Sequence, residues 1–122
     1  MNHYGVGIDL VEVPRFKRIV DKRGDRFLAR VFTPAELDHC FNKKRTFESL
    51  AARFAAKEAF VKAIGGWNGL GWKQIEVKNK PSGQPYLEIH GDEQSRFGTI
   101  HLSLTHTERY AIAQIVVVRS EP

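Results

Sequence analysis

Asp9, Glu58, Lys62 and His106 are the side chains whose types and neighbours could do chemistry. Asp9 sits in a short alternating run in which Val6, Ile8 and Leu10 share one strand face. The opposite face carries Gly5, Gly7 and Asp9. No packing reason places an acid there, and two glycines leave that face bare for another chain or a ligand to approach closely. Glu58 and Lys62 stand one turn apart on a long, alanine-rich helical stretch, on the flank of its apolar stripe and beside Ala51 and Ala55. One reading is a solvated i,i+4 ion pair worth about 0.2–0.5 kcal/mol. The other is a carboxylate and an ammonium aimed into a cleft floored by alanines, which would suit a metal ion and a phosphate. Two carboxylates from different elements, with few other ligands, is the pattern expected of Mg²⁺, an ion that keeps waters and completes its shell with substrate phosphates. Spacing alone does not require the two acids to meet.

His106 ends a row formed by Ile100, Leu102 and Leu104. It reads either as a packed or capping histidine or as a phosphate donor or general acid–base at a strand end. Ser103 is a weak nucleophile candidate, because no elbow motif and no Ser-His-Asp arrangement accompanies it. His3, His39, His90 and His101 form no metal-ligand spacing. There is no Walker-type loop and no dinucleotide-binding glycine fingerprint.

These side chains need elements to position them, and the chain changes character near Gly65-Gly66. Before that point the pattern is mostly helical, after it mostly extended, and separate blocks of helices and strands argue for an α+β fold. Residues 4–12 read as a strand. Pro14 favours a helix start, with Phe16, Ile19 and Val20 as its apolar stripe and Gly24 as its end. Residues 25–31 read as a short second helix. Thr33-Pro34-Ala35-Glu36 combines an N-cap, a first-turn proline and a capping box. A helix over about residues 46–64 follows, with Leu50, Phe54, Val61 and Ile64 as its buried stripe and Lys57 inside that stripe. Ile75 and Val77 mark one later strand, Leu87 and Ile89 another, with a turn-rich loop over residues 79–85 between them. Residues 92–97 suggest a helical turn. The runs 100–106 and 110–118 are the strongest strands, joined as a hairpin by Thr107-Glu108-Arg109. The last two runs are apolar on nearly both faces, and one helical layer covers only one of them. A second protomer could cover the other.

The 122 residues make one domain, read as 1–122. The 42% hydrophobic and 27% charged shares exclude a disordered chain. Cys40 is the single cysteine, so an internal disulfide framework and a cysteine-based zinc site are excluded. No apolar run approaches the roughly 20 residues of a membrane span. The opening MNHYGVGIDLVEVPR does not read as a signal peptide, and the default expectation is a soluble cytoplasmic protein. The net charge of +5 is concentrated: residues 15–30 hold Arg15, Lys17, Arg18, Lys22, Arg23, Arg26 and Arg30 against Asp21 and Asp25. Arg15, Arg18 and Lys22 fall on one helix face. The partner of that segment should be acidic: nucleic acid, an anionic membrane surface or an acidic protein. A basic nucleic-acid-binding domain without catalysis is therefore one reading, although the stretch lacks interleaved aromatics and leaves Asp9 and Glu58 unexplained. A phosphodiesterase using the same carboxylates is another, although two-metal enzymes of that kind want more acids or histidines than this chain groups together.

Several segments, taken in order, resemble one family. Gly5-Val6-Gly7-Ile8-Asp9-Leu10-Val11-Glu12 with Arg15-Phe16 is similar to the opening motif of the holo-[acyl-carrier-protein] synthases, the small 4′-phosphopantetheinyl transferases. Phe32-Thr33-Pro34-Ala35-Glu36-Leu37 resembles their second element. Ala52-Arg53-Phe54-Ala55-Ala56-Lys57-Glu58-Ala59-Phe60-Val61-Lys62-Ala63 resembles their central helix and is the most specific match. Ile75-Glu76-Val77, Gly83-Gln84-Pro85 and Ser103-Leu104-Thr105-His106 followed by Tyr110-Ala111 complete the order. Leu104, Thr105 and the loop Gly65-Gly66-Trp67 depart from the usual pattern.

The resemblance implies the 4′-phosphopantetheinyl transferase fold: a helical N-terminal half whose long central helix packs on a mainly antiparallel β-sheet. It implies transfer of 4′-phosphopantetheine from coenzyme A to a serine of apo acyl carrier protein, with release of adenosine 3′,5′-bisphosphate. Asp9 and Glu58 match the family's Mg²⁺ ligands, and Lys62 its catalytic lysine at the pyrophosphate. Glu58 is also a candidate for taking the serine proton. Arg53, Ser103 and His106 match positions lining the coenzyme A site, which a loop matched by Gly83 and Pro85 borders. Arg15 and the basic helix, with Arg18, Lys22 and Arg26, match the surface that docks the acidic carrier protein. The family's single-domain members form trimers with active sites between protomers.

Overall fold

The computed structural model describes residues 2–91 and 94–120. Strand β1 (Asn2–Glu12) leads directly into α1 (Val13–Arg23). Pro14 stands in the first turn of α1, and Gly24, at φ 71°, ends it by donating its N–H to the Val20 carbonyl at 2.7 Å. Helices α2 (Asp25–Val31), α3 (Pro34–Phe41) and α4 (Thr46–Ala63) follow. The capping box expected at Thr33 is present: Thr33 Oγ1 accepts from the Glu36 N–H at 3.1 Å, and a Glu36 carboxylate oxygen accepts from the Thr33 N–H at 2.9 Å. Beyond α4 come β2 (Ile75–Asn79), β3 (Pro85–Ile89), a short helix α5 (Gln94–Phe97), β4 (Thr99–His106) and β5 (Tyr110–Ser120). The expected helical turn over 92–97 is present as α5; residues 92 and 93 lie outside the described residues.

Among the described residues the strands form two antiparallel sheets rather than one. One is three-stranded in the order β1-β5-β4; the other is the β2-β3 hairpin. The first and last strands thus lie side by side, because β1 pairs with β5 along its whole length from Asn2↔Ser120 to Glu12↔Tyr110. Helices α1 to α4 stand in one block between β1 and the strands that complete the sheets, which is the α+β arrangement read from the sequence. None of the helices among the described residues is long and apolar enough to cross a membrane.

Helix α4 is the centre of the molecule. Two buried clusters meet on it: one joins its middle to β2, β3 and β5, the other joins its first half to α1, α2 and α3 through Phe16, Phe32 and Leu50. Because it is packed on several sides, burial extends well beyond the expected stripe. Leu50 and Lys57 are fully buried, Phe54, Val61 and Ile64 only partly, and Ala51, Ala55, Ala56 and Ala59 complete the deepest surface. The alanines allow close approach, and on β1 the approach is backbone to backbone. A methyl group added at Gly7 would stand 1.8 Å from the Ala59 carbonyl oxygen, and one at Gly5 2.2 Å from that of Ala63. The bare strand face is therefore filled by α4 of the same chain, and the apolar face of β1 is the one left open.

Candidate active site

The contact between β1 and α4 creates the first group of functional side chains. Asp9 follows Gly7 on the inward face of β1, so it is delivered to the turn of α4 that carries Glu58 and Lys62. Lys62 Nζ lies 3.1 Å from Asp9 Oδ1 and donates to the Ile8 carbonyl at 2.9 Å. The ammonium thus bridges two elements instead of serving only as the i,i+4 partner of Glu58. Asp9 is buried, and its Oδ2 has no hydrogen-bond partner. Burial and the adjacent Asp9 carboxyl push the Glu58 pKa up to about 7, with Lys62 pulling the other way.

This is a donor set in need of a cation. Two carboxyls face one another, the one ammonium beside them is bound to Asp9, and a buried Asp9 oxygen has no hydrogen-bond partner. Hard oxygen donors, few in number and open on one side, are what Mg²⁺ accepts. The residues present therefore fit the metal that the resemblance implies.

Asp9 and Glu58 open into a cleft of about 480 Å³, whose walls include Arg15, Phe16, Phe27 and Phe54. The floor is aromatic, which corrects the expectation of alanines: Ala51 and Ala55 have no exposed surface because they carry the packing of α4. Phe16, Phe27 and Phe54 pack on each other with ring centroids 5.4–6.5 Å apart.

A second pocket, of about 380 Å³, is lined by Arg53, Pro85 and His106 together with Lys43, Lys44 and Arg45. Arg53 is buried and donates from Nη2 to Asn79 Oδ1 at 2.6 Å; Asn79 Nδ2 donates to the Gly83 carbonyl at 3.0 Å. The loop carrying Gly83 and Pro85 is thereby tied to the arginine of the central helix. Gly83 takes φ 94°, a backbone conformation that favours glycine, as its N–H closes a turn onto the Lys80 carbonyl. His106 Nδ1 lies 2.9 Å from Glu48 Oε1. His39, in the same wall, is held below its ordinary value by burial and by the nearby Arg53 and Lys43 charges. Such a pocket offers cationic donors to a phosphate-bearing ligand. Its Lys43-Lys44-Arg45 wall was visible in the sequence only as a basic loop; three consecutive cations immediately before a helix was the signal.

Ser103 is not brought to either pocket by this chain. It lies exposed on the open face of the sheet, paired with Gln114 of β5. Arg15 lines the acidic cleft, Arg18 and Lys22 are exposed on α1, and Arg26 joins Arg23 and Arg30 around Phe27 on the neighbouring surface. The basic residues of α1 and α2 therefore border the cleft that holds Asp9 and Glu58.

His90, which has no metal-ligand spacing in the sequence, does meet two carboxylates. Glu76 and Glu88 are cross-strand partners on the β2-β3 hairpin, and His90 Nε2 lies 2.7 Å from Glu76 Oε1. Lys78 Nζ is 2.6 Å from Glu88 Oε2, and Thr33 donates its hydroxyl to Glu76. Burial pushes the Glu76 carboxyl up, but the bonds from Thr33 and His90 outweigh it and hold the group below its usual value. Every charge in this cluster already has a partner, so it reads as an ion-pair network on the hairpin.

The model of the 4′-phosphopantetheinyl transferase superfamily matches residues 5–115. A holo-[acyl-carrier-protein] synthase of Halothermothrix orenii is 48% identical over 118 residues, spanning 92% of this chain and 94% of the relative. One from Koribacter versatilis is 46% identical over 120 residues, spanning 93% and 96%. Among solved structures, a holo-(acyl-carrier-protein) synthase from Bacillus anthracis in complex with CoA (3′,5′-ADP) superposes with a TM-score of 0.80 at 36% identity, covering 95% of this chain and 96% of that one. The corresponding protein from Neisseria meningitidis gives 0.83 at 32% identity, covering 93% and 96%.

Proposed function

The chain belongs to the 4′-phosphopantetheinyl transferase superfamily, among its holo-[acyl-carrier-protein] synthases, and on that premise we propose how it works. It transfers 4′-phosphopantetheine from coenzyme A to a serine of apo acyl carrier protein and releases adenosine 3′,5′-bisphosphate. The observation that carries the reading is the meeting of Asp9, Glu58 and Lys62 from two distant parts of the chain, with a buried Asp9 oxygen unpartnered.

Asp9 and Glu58 would hold Mg²⁺, which when bound neutralises charge on the pyrophosphate. The carrier serine oxygen attacks the β-phosphorus of coenzyme A. The bond from that phosphorus to the bridging oxygen breaks, and the α-phosphate leaves with the nucleotide. Lys62, fixed to β1 through Asp9 and the Ile8 carbonyl, presents its ammonium where charge grows on the leaving and phosphoryl oxygens. Glu58 takes the serine proton, directly or through a water. The Arg53 pocket, with His106, Pro85, Lys43, Lys44 and Arg45, supplies cationic donors for the nucleotide end of coenzyme A. Arg15, Arg18, Lys22 and Arg26 form the approach for the acidic carrier, steering it to the mouth of the acidic cleft.

The working unit is proposed to be a homotrimer with active sites between protomers. In support, Tyr4, Val6, Ile8 and Leu10 of β1 are 68%, 63%, 58% and 57% exposed, a row of large apolar groups on an uncovered sheet face. Leu10 belongs both to that face and to the lining of the acidic cleft, so a copy seated on the sheet reaches the site. Ser103 lies on the same face, where a neighbouring copy would meet it.

The test is substitution of the metal ligands. Asp9→Ala and Glu58→Ala are expected to keep the circular dichroism of the parent and lose transfer by orders of magnitude, with adenosine 3′,5′-bisphosphate no longer released. Full turnover by either variant in excess EDTA contradicts the reading.

A further inference from the structure

His106 enters the coenzyme A pocket from the end of an edge strand, with its side chain partly exposed. A strand end leaves an imidazole free to rotate, yet the ring here is held. Its Nδ1 meets Glu48 Oε1 at 2.9 Å, and Glu48 is buried in the first turn of α4. Glu48 is not one of the residues lining the pocket; it stands behind the imidazole. A carboxylate accepts and cannot donate, so Nδ1 carries the hydrogen and Nε2 is the nitrogen left for a ligand. The same Glu48 oxygen lies 3.8 Å from the Arg45 guanidinium, another member of the pocket wall. The carboxylate suits this place for a second reason: the first turn of a helix favours negative charge.

We propose that Glu48 is a positioning residue for coenzyme A. Its carboxylate fixes the tautomer and direction of His106, leaving the Nε2 lone pair to accept from a hydroxyl or amino group of the nucleotide end, and draws Arg45 to the same side, where its guanidinium meets the phosphates. It acts through these two side chains and does not touch the substrate. This inference rests on the function proposed above and assigns within it a residue that neither the metal site nor the basic wall includes.

The experiment is a double-mutant cycle in steady-state transfer from coenzyme A to apo carrier protein, using the wild-type protein, Glu48→Gln, His106→Ala and the double variant. Glu48→Gln is expected to raise KM for coenzyme A roughly tenfold, the loss of one charge-assisted hydrogen bond. The KM for carrier protein should stay in place, and Glu48→Gln should add nothing on top of His106→Ala. Calorimetric dissociation constants for coenzyme A should follow the same pattern. A merely structural glutamate would spare the coenzyme A KM or add its effect in full to that of His106→Ala, and either outcome overturns the proposal. Should Glu48→Gln melt too low to assay, Glu48→Asp, with its carboxylate drawn back from Nδ1, is judged by the same criteria. Absence of transfer by the wild-type protein would strike the proposed function, whereas normal transfer with an unmoved coenzyme A KM in the variants would strike Glu48 alone.

Discussion

Glu58 and Lys57 are neighbours on α4 that meet opposite fates. Glu58 faces Asp9 across the cleft and its pKa is raised to about 7 from 4.5, first by burial and then by the Asp9 charge. The folded protein therefore binds more protons than the unfolded chain between those values. The stability that this group contributes is present below pH 4.5 and is lost as the pH rises towards about 7. Metal-free wild-type protein should lose melting temperature across that window more steeply than Glu58→Gln, and Mg²⁺ should reduce the difference. Equal slopes in the two proteins would show that the acid pair is not under strain. Lys57 points the other way and has no exposed surface. Its ammonium donates to Glu36 at 2.8 Å and to the carbonyls of Trp72 and Ile75 at 3.0 and 2.6 Å. Burial pushes its pKa down, opposed by Glu36. Lys57→Met strands the Glu36 carboxylate in the core, and urea unfolding should register a loss of about 3–5 kcal/mol. The sequence placed Lys57 inside the apolar stripe but held no hint of its partners, because Glu36 and the Trp72 and Ile75 carbonyls lie far along the chain.

Elements were readable where local chemistry alone forms them. The Thr33 capping box, Pro14, Gly24, the α2 span and the hairpin at Thr107-Glu108-Arg109 all depend on residues within a few positions, and all are present. What pattern could not settle was which face of β1 lies inward. Alternation marks two faces and does not say which is buried when one is apolar and the other is Gly, Gly and Asp. The answer came from a helix with alanines in register with the glycines. Gly7→Ala should therefore cost about 3 kcal/mol or more in chemical denaturation, since the methyl meets the Ala59 carbonyl at 1.8 Å and backbone must move. It should also lower transfer, because the same displacement separates Asp9 from Glu58. Near-normal stability and rate in that variant would mean that the strand and helix are not held at this distance.

Across the molecule, charge and apolar surface divide the work. The basic residues gathered on α1 and α2 border the cleft, which predicts that Arg15→Glu raises KM for carrier protein while KM for coenzyme A barely moves. Unaltered carrier kinetics would remove that docking role. The open sheet face predicts association. Ile8→Glu, at an exposed position of β1, should leave the secondary structure intact, shift light scattering from trimer to monomer and reduce transfer. A trimer that persists would place the subunit contact elsewhere. The proposed assembly had the faintest trace in the sequence, strands apolar on both sides. The proposed metal pair was visible as two unexplained acids, and the basic pocket proposed for coenzyme A as scattered cations.

The central claim is tested most directly by mass spectrometry of apo acyl carrier protein incubated with the protein, coenzyme A and Mg²⁺. The expected result is a gain of one phosphopantetheine on the carrier serine, abolished by EDTA and restored by added Mg²⁺. An unchanged carrier mass, or full modification in the presence of EDTA, would contradict it.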